Sequence, residues 1–377
     1  MSGSKCFTMD IDGTDAVFLV TSKDTVSLGD SEEPAVPSET REFRIPESVK
    51  RKGKKYSVTA VSDWAFRDCA DLTHLEVPAC VKKIGDCAFY GCASLETVEL
   101  PKVKKLRDHV FCGCSSLKGI AIPASVKEID PSAFDGCVSL ESFDVDPKNK
   151  NYSSIGGVLF ADDGKILVRY PVGRRDEVYS VPEGTECLQE ESFAGTLYLK
   201  TLYIPKSVEE IENHALYTCL SVESVGVDPE NENYSSDDGV LFTKDLALLL
   251  RYPPQKRDAE YTVPDRTECV GYWAFGGCTG LRGVTLSERT RYVCDFAFAG
   301  CSSFAEVTVP ESVCSLGWGA YNGCDSIKDI DLRGERTAVH DDTFDHGFTD
   351  ADGKDMKVIG GHRYSFDRDR MSFVQSD

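Results

Sequence analysis

A few groups of residues have the types and spacing of reactive chemistry. Asp10-Ile11-Asp12-Gly13-Thr14 reads D-x-D-G-T, a pattern in which the first aspartate attacks phosphorus. That reaction needs a buried strand before the loop and an α/β domain that supplies a lysine and further carboxylates. Ser4-Lys5-Cys6-Phe7-Thr8-Met9 is only half apolar, so the expectation is a β-turn at Asp12-Gly13 leading back into Ala16-Val17-Phe18-Leu19-Val20. Asp350-Ala351-Asp352-Gly353-Lys354-Asp355 begins like a calcium loop. Its twelfth position is Gly361 rather than a bidentate glutamate, which predicts a solvated turn. His340, Asp341, Asp342 and His346 show no third-ligand spacing, and His74, His109, His214 and His362 share no repeat position with one another. A G-x-x-x-x-G-K-[ST] phosphate loop does not occur. The expectation is a non-enzyme with no catalytic residue, no cofactor and no metal.

Cysteine is the most abundant reactive type. Of 16 cysteines, eight recur at one repeat position: Cys69, Cys92, Cys114, Cys137, Cys219, Cys278, Cys301 and Cys324. Thr196 fills the same column, a substitution that a disulfide or metal cluster would not tolerate. Cys112 and Cys114 form only C-x-C, and there is no pair of C-x-x-C motifs for a zinc site. The column therefore reads as small buried thiols. Many free thiols favour a reducing compartment.

The elements that position these residues follow a fixed period. Ala88-Phe89-Tyr90-Gly91-Cys92-Ala93-Ser94-Leu95 recurs at Ala65-Phe66, Val110-Phe111, Ala133-Phe134, Ala274-Phe275, Ala297-Phe298 and Ala320-Tyr321, with weaker copies at Ser192-Phe193 and Ala215-Leu216. The step is 22 or 23 residues, except for two steps of 59. Those long steps hold a second repeat. Asn151–Phe160 matches Asn233–Phe242, 82 residues on, and each copy continues to an Arg-Tyr-Pro. Val158-Leu159-Phe160 and Ile166-Leu167-Val168 flank an Asp-Gly, the signature of a hairpin.

Within a coil, Leu95-x-x-Val98-x-Leu100 gives a short strand with alternate side chains inward. Pro101 ends it, and pieces such as Val126-x-x-Ile129 follow with charged residues toward water. One coil cannot bury its apolar side alone, so coils must stack. That stacking predicts an internal ladder of Phe66, Phe89, Phe111, Phe134, Phe193, Phe275 and Phe298. The fold class expected is a mainly-β repeat solenoid with a parallel sheet, two hairpin insertions and β-rich terminal caps. The boundaries are 1–57 for an N-terminal cap, 58–333 for the solenoid, about 147–182 and 229–264 for the insertions, and 334–377 for a C-terminal cap or tail.

The repeating Ala-Phe-x-Gly-Cys-x-Ser-Leu followed by Ile-x-Ile-Pro-x-Ser-Val-x-x-Ile, clearest at Ala133–Leu140 and Ile120–Ile129, resembles the BspA-type leucine-rich repeats of microbial surface proteins over residues 41 to 333. The resemblance implies a curved, right-handed solenoid used for protein recognition, often in adhesion to host or neighbouring cells.

The formal charge is −21, from 42 Lys+Arg against 63 Asp+Glu. That charge argues against nucleic acid and anionic membranes as partners. No apolar run reaches the length of a membrane span. The expected partner is another protein, met by a monomer through the outward positions of the strands: Glu76, Glu99, Ala121, Asp144, Tyr203, Gly226, Thr285, Thr308 and Asp331. The hairpins at 158–168 and 240–250 are rival sites. The resemblance points to a cell-surface adhesin. The second reading is an intracellular structural or scaffolding protein, favoured by the free thiols and by an N-terminus without a signal-like apolar stretch, which reads as cytoplasmic.

Overall fold

The computed structural model describes residues 5–340, 342–345, 348–349, 361–367 and 372–376. Asp341, His346 and the Asp350 turn lie outside the described residues. The chain divides into two compact units, Met1–Arg175 with Cys187–Leu197 and Asp176–Glu186 with Tyr198–Asp377. Each has its own apolar core.

In the first unit every coil has three legs. The first leg is a strand of the L-x-x-L-x-L type. Gly119–Ile122 pairs in parallel with Ser142–Val145, setting Ile120 beside Phe143 and Ala121 beside Asp144. Strand alternation buries Ile120, Ile122, Phe143 and Val145 and leaves Ala121 and Asp144 exposed. The second leg is a two-residue strand, as where Lys105–Leu106 pairs in parallel with Glu128–Ile129. The third leg carries the Ala-Phe pair. It is a turn rather than a strand, yet its amides still bridge coils: the Phe66, Phe89 and Phe111 N–H groups donate to the Ala88, Val110 and Ala133 carbonyls at 2.8, 3.0 and 2.9 Å.

The aromatic ladder is internal. Phe66, Phe89, Phe111 and Phe134 stack with successive centroids 5.5, 5.2 and 5.9 Å apart, and all are buried. Two columns of left-handed backbone flank the ladder. Gly91, Gly113 and Gly136 lie two residues after a rung, as the Gly-Cys bend predicts. A Cβ on Gly136 would meet the Gly113 amide at 3.3 Å, so glycine here also permits close stacking. The column two residues before the rung was not foreseen: Trp64, Cys87 and His109 hold φ of 60, 53 and 50°.

The expected hairpin forms, with Val158–Ala161 antiparallel to Ile166–Arg169. Tyr152–Ile155 adds a third strand to make a meander. Its last strand then pairs in parallel with Cys187–Leu188, which splices the insertion into the second leg of a coil. Tyr170 follows as the rung. Its N–H donates to Ser192 at 2.7 Å and its ring stacks on Phe193. The 59-residue step therefore conceals a complete coil, with Tyr170 coming 36 residues after Phe134 and 23 before Phe193.

The second unit repeats this plan. A meander of Tyr234–Asp237, Val240–Thr243 and Leu248–Arg251 feeds a parallel run of Cys269–Val270, Tyr292–Val293, Ser315–Leu316 and Ala338–Val339. Its ladder is Tyr252, Phe275, Phe298, Tyr321 and Phe344, with spacings of 5.1, 4.9, 5.0 and 5.0 Å.

Antiparallel strands close both ends. Asp12 (φ 51°) and Gly13 (φ 90°) turn Cys6–Ile11 into Thr14–Val20, and the Asp10 carboxylate accepts the Gly13 N–H at 3.2 Å. This is the Asp-Gly hairpin turn that the sequence predicts, and it holds Asp10 and Asp12 exposed at a tip. At the other end, His362–Asp367 pairs antiparallel with Asp329–Leu332.

Candidate protein-recognition face

The outward positions of the first-leg strands form rows of exposed or half-buried side chains. In the first unit Glu76 lies opposite Arg44 on parallel strands and forms an exposed 2.8 Å ion pair with it. Such a pair adds little stability. Glu99 is exposed on a segment without strand pairing. Arg44, Glu47, His74, Glu76 and Glu99 line a groove of about 490 Å³ there. Ala121 and Asp144 are adjacent and exposed.

In the second unit Tyr203 lies between Ser180 and Gly226 across three parallel strands. A Cβ at Gly226 would meet the Tyr203 ring at 3.0 Å, so the glycine leaves room for the ring to lie flat over it. Thr262 faces Thr285, and Thr308 faces Asp331. Arg333 and Arg363 reach the Asp331 carboxylate at 3.0 and 3.6 Å. Arg44, Ser180 and Thr262 belong to these rows but stand outside the clearest repeats, so spacing alone missed them.

The rows are not one unbroken surface. In the first unit the Gly157 carbonyl accepts the Phe143 N–H at 2.8 Å, and in the second the Gly239 carbonyl accepts the Val225 N–H at 2.9 Å. Each meander tip therefore docks beside its row, at Asp144 and at Gly226. The rival hairpins and the strand rows adjoin.

The cysteine column is a set of buried donors. The thiols of Cys92, Cys114 and Cys137 donate to the Phe66, Phe89 and Phe111 carbonyls at 3.1, 3.2 and 3.2 Å. Burial pushes the Cys69 and Cys137 thiols up to about 12 and holds Cys92 and Cys114 well above the ordinary value. One group with metal-ligand atoms exists among the described residues: Cys87, Asp108 and His109 lie within 4.8 Å of one another. His109 bonds Asp108 at 2.5 Å, and Ser132 donates to the same carboxylate. Burial pushes the Cys87 thiol up to about 11, which works against thiolate ligation. Cys87 and His109 share the left-handed column before the rung, an alignment that would have revealed their proximity.

Stacked coils, a parallel row of L-x-x-L-x-L strands and a buried aromatic ladder define a leucine-rich-repeat solenoid. The model of the BspA-type leucine-rich repeat region matches in six copies, over residues 42–166, 177–238 and 258–349, and the chain belongs to that family. No curated protein matches the sequence significantly. Among solved structures, a leucine-rich repeat protein from Eubacterium ventriosum is 18% identical, with 84% of this chain and 95% of that chain covered at a TM-score of 0.53. The pneumococcal vaccine antigen PcpA is 21% identical over 91% of this chain and 87% of its own, at a TM-score of 0.49. A leucine-rich cell surface protein from Faecalibacterium prausnitzii is 19% identical over 89% and 95%, at 0.44.

Proposed function

We propose that this chain is a non-enzymatic recognition module that binds another protein through the outward strand rows. The observation that carries this reading is register. Parallel pairing sets Ser180, Tyr203 and Gly226, and likewise Thr262 with Thr285 and Thr308 with Asp331, side by side on the outward positions of three short sheets. An exposed tyrosine on such a scaffold is a low-entropy anchor of the kind that dominates interfaces. The acidic groove around Glu76 and Glu99 suits a basic contact on the same partner class. Adhesion at a cell surface is the form of this function that the family resemblance favours, and intracellular scaffolding is the other.

Affinity capture from source-cell extracts and intact cells, quantified by mass spectrometry, tests the reading. A partner enriched by the native chain should fall about tenfold or more with Tyr203→Ala plus Thr308→Arg. It should persist with Lys127→Glu, an exposed change on the second leg. Equal capture by all three proteins overturns the assignment of the face. Protease shaving of intact cells separates the two forms, since release before lysis supports adhesion and protection until lysis supports scaffolding.

A further inference from the structure

Arg169 and Arg251 hold corresponding places in the two meanders, 82 residues apart. Arg169 is buried with both terminal nitrogens met: Nη1 donates to the Glu191 carbonyl at 2.7 Å and Nη2 meets the Asp135 carboxylate at 2.8 Å, while its Nε has no hydrogen-bond partner among the described residues. Arg251 is equally buried, at 3% exposure, and its Nη1 donates to the Trp273 carbonyl at 2.6 Å. Its Nε and Nη2 have no hydrogen-bond partner among the described residues.

The reason lies in the substitution at Asp135, with two more beside it. The positions of Asp135, Glu190 and Glu191 in the first copy are Tyr217, Tyr272 and Trp273 in the second. Three carboxylates have become three aromatic rings, and the counter-ion is gone. In the second unit Arg251, Tyr217, Tyr272, Trp273, Leu248 and Leu250 line a cavity of about 420 Å³, a size typical of small-molecule sites. The Trp273 indole N–H is also buried without an acceptor among the described residues. A buried cation without a partner is costly to a fold, and burial lowers the pKa of this guanidinium.

We propose that this cavity binds a small monocarboxylate with an apolar or aromatic body, its carboxylate standing at Arg251 where Asp135 stands at Arg169. The indole N–H of Trp273 supplies a second donor, and Leu248, Leu250 and the Tyr217 and Tyr272 rings hold the body. One cation matches one negative charge. Glu212 and Asp295, also on the cavity wall, oppose a dianion such as phosphate.

The test is titration of the full chain with hexanoate and benzoate, followed by calorimetry and by tryptophan fluorescence. Hexanamide, benzamide and inorganic phosphate are the controls. The acids should bind saturably, the amides about tenfold more weakly or worse because they bring no charge to the guanidinium, and phosphate as weakly because Glu212 and Asp295 oppose its second charge. Arg251→Met should erase the preference for acid over amide. Tyr217→Asp restores the internal carboxylate of the first copy, so it should block the acids and raise the melting temperature, a readout that does not depend on the Arg251 variant folding. Failure of both acids to bind, equal binding of acids and amides, or an acid preference that survives Tyr217→Asp overturns the proposal.

Discussion

The ring of Tyr252 stacks on Phe275 at 5.1 Å and 24°, and Tyr170 stacks on Phe193 at 5.5 Å and 25°. The tyrosine of each Arg-Tyr-Pro is thus a rung of the aromatic ladder, and each meander is an interruption within a coil. Tyr252→Ala should leave a core cavity costing about 3–5 kcal/mol. Tyr252→Phe keeps the ring and loses only the hydroxyl bond to Asp258 at 2.9 Å, for about 1–2 kcal/mol. Urea unfolding followed by circular dichroism separates the two, and a neutral alanine variant would mean that the meander lies outside the core.

The buried thiols tie stability to pH. Burial raises Cys69 and Cys137 from 9.0 to about 12. Below pH 9 both the folded and the unfolded chain keep these protons, and the thiols' contribution is complete. Between 9 and 12 the unfolded chain releases protons that the folded chain retains, so stability falls as pH rises. The denaturation midpoint should therefore drop on the alkaline side of pH 9, less steeply in Cys137→Ala. Maleimide should label exposed Cys314 before any member of the column.

One pair of cysteines differs from the column. Cys269 and Cys294 lie on neighbouring parallel segments with sulfurs 3.5 Å apart, and both are only partly buried. The hydrogen bond between the two thiols lowers the pKa of Cys294 and raises that of Cys269. A diamide-treated sample should yield a Cys269–Cys294 crosslinked peptide under non-reducing conditions, and Cys269→Ser should abolish it. Crosslinks within Cys92, Cys114 and Cys137 should be absent, because each of those thiols is buried against a carbonyl. Their appearance instead would show that coil packing does not hold the column.

The period was readable because Phe89, Gly91 and Cys92 each answer to a separate physical demand, a rung, a left-handed bend and a small buried donor, repeated at fixed spacing. Tyr170 and Tyr252 escaped because Arg-Tyr-Pro lacks the bend and the thiol, and only the ring is retained. The column before the rung escaped because its left-handed residues are Trp64, Cys87 and His109 rather than glycine; inter-coil bonds impose that backbone, as where the Trp64 and Cys87 amides reach the next coil at 3.0 and 2.9 Å. The outward rows followed from strand alternation, whereas their interruption by Gly157 and Gly239 depends on tertiary docking that no local pattern encodes. The Arg251 cavity escaped for another reason. It lies in what the two copies do not share, while repeat finding attends to what they do.

That difference gives a reciprocal prediction in the first unit. The Arg169 side chain is 4% exposed and Asp135 is 33% exposed, so the pair is sheltered mainly on the cation's side. Asp135→Ala removes the counter-ion and leaves a buried guanidinium unmet, which should cost about 3 kcal/mol or more. Asp135→Asn keeps a carbonyl oxygen in reach of Nη2 and should cost less. Arg169→Met with Asp135→Ala removes both charges and should recover part of the loss. Equilibrium unfolding of the three variants measures the sequence of costs. If Asp135→Ala were neutral, this scaffold would tolerate an unpaired buried arginine without consequence, and Arg251 would need no ligand to account for it.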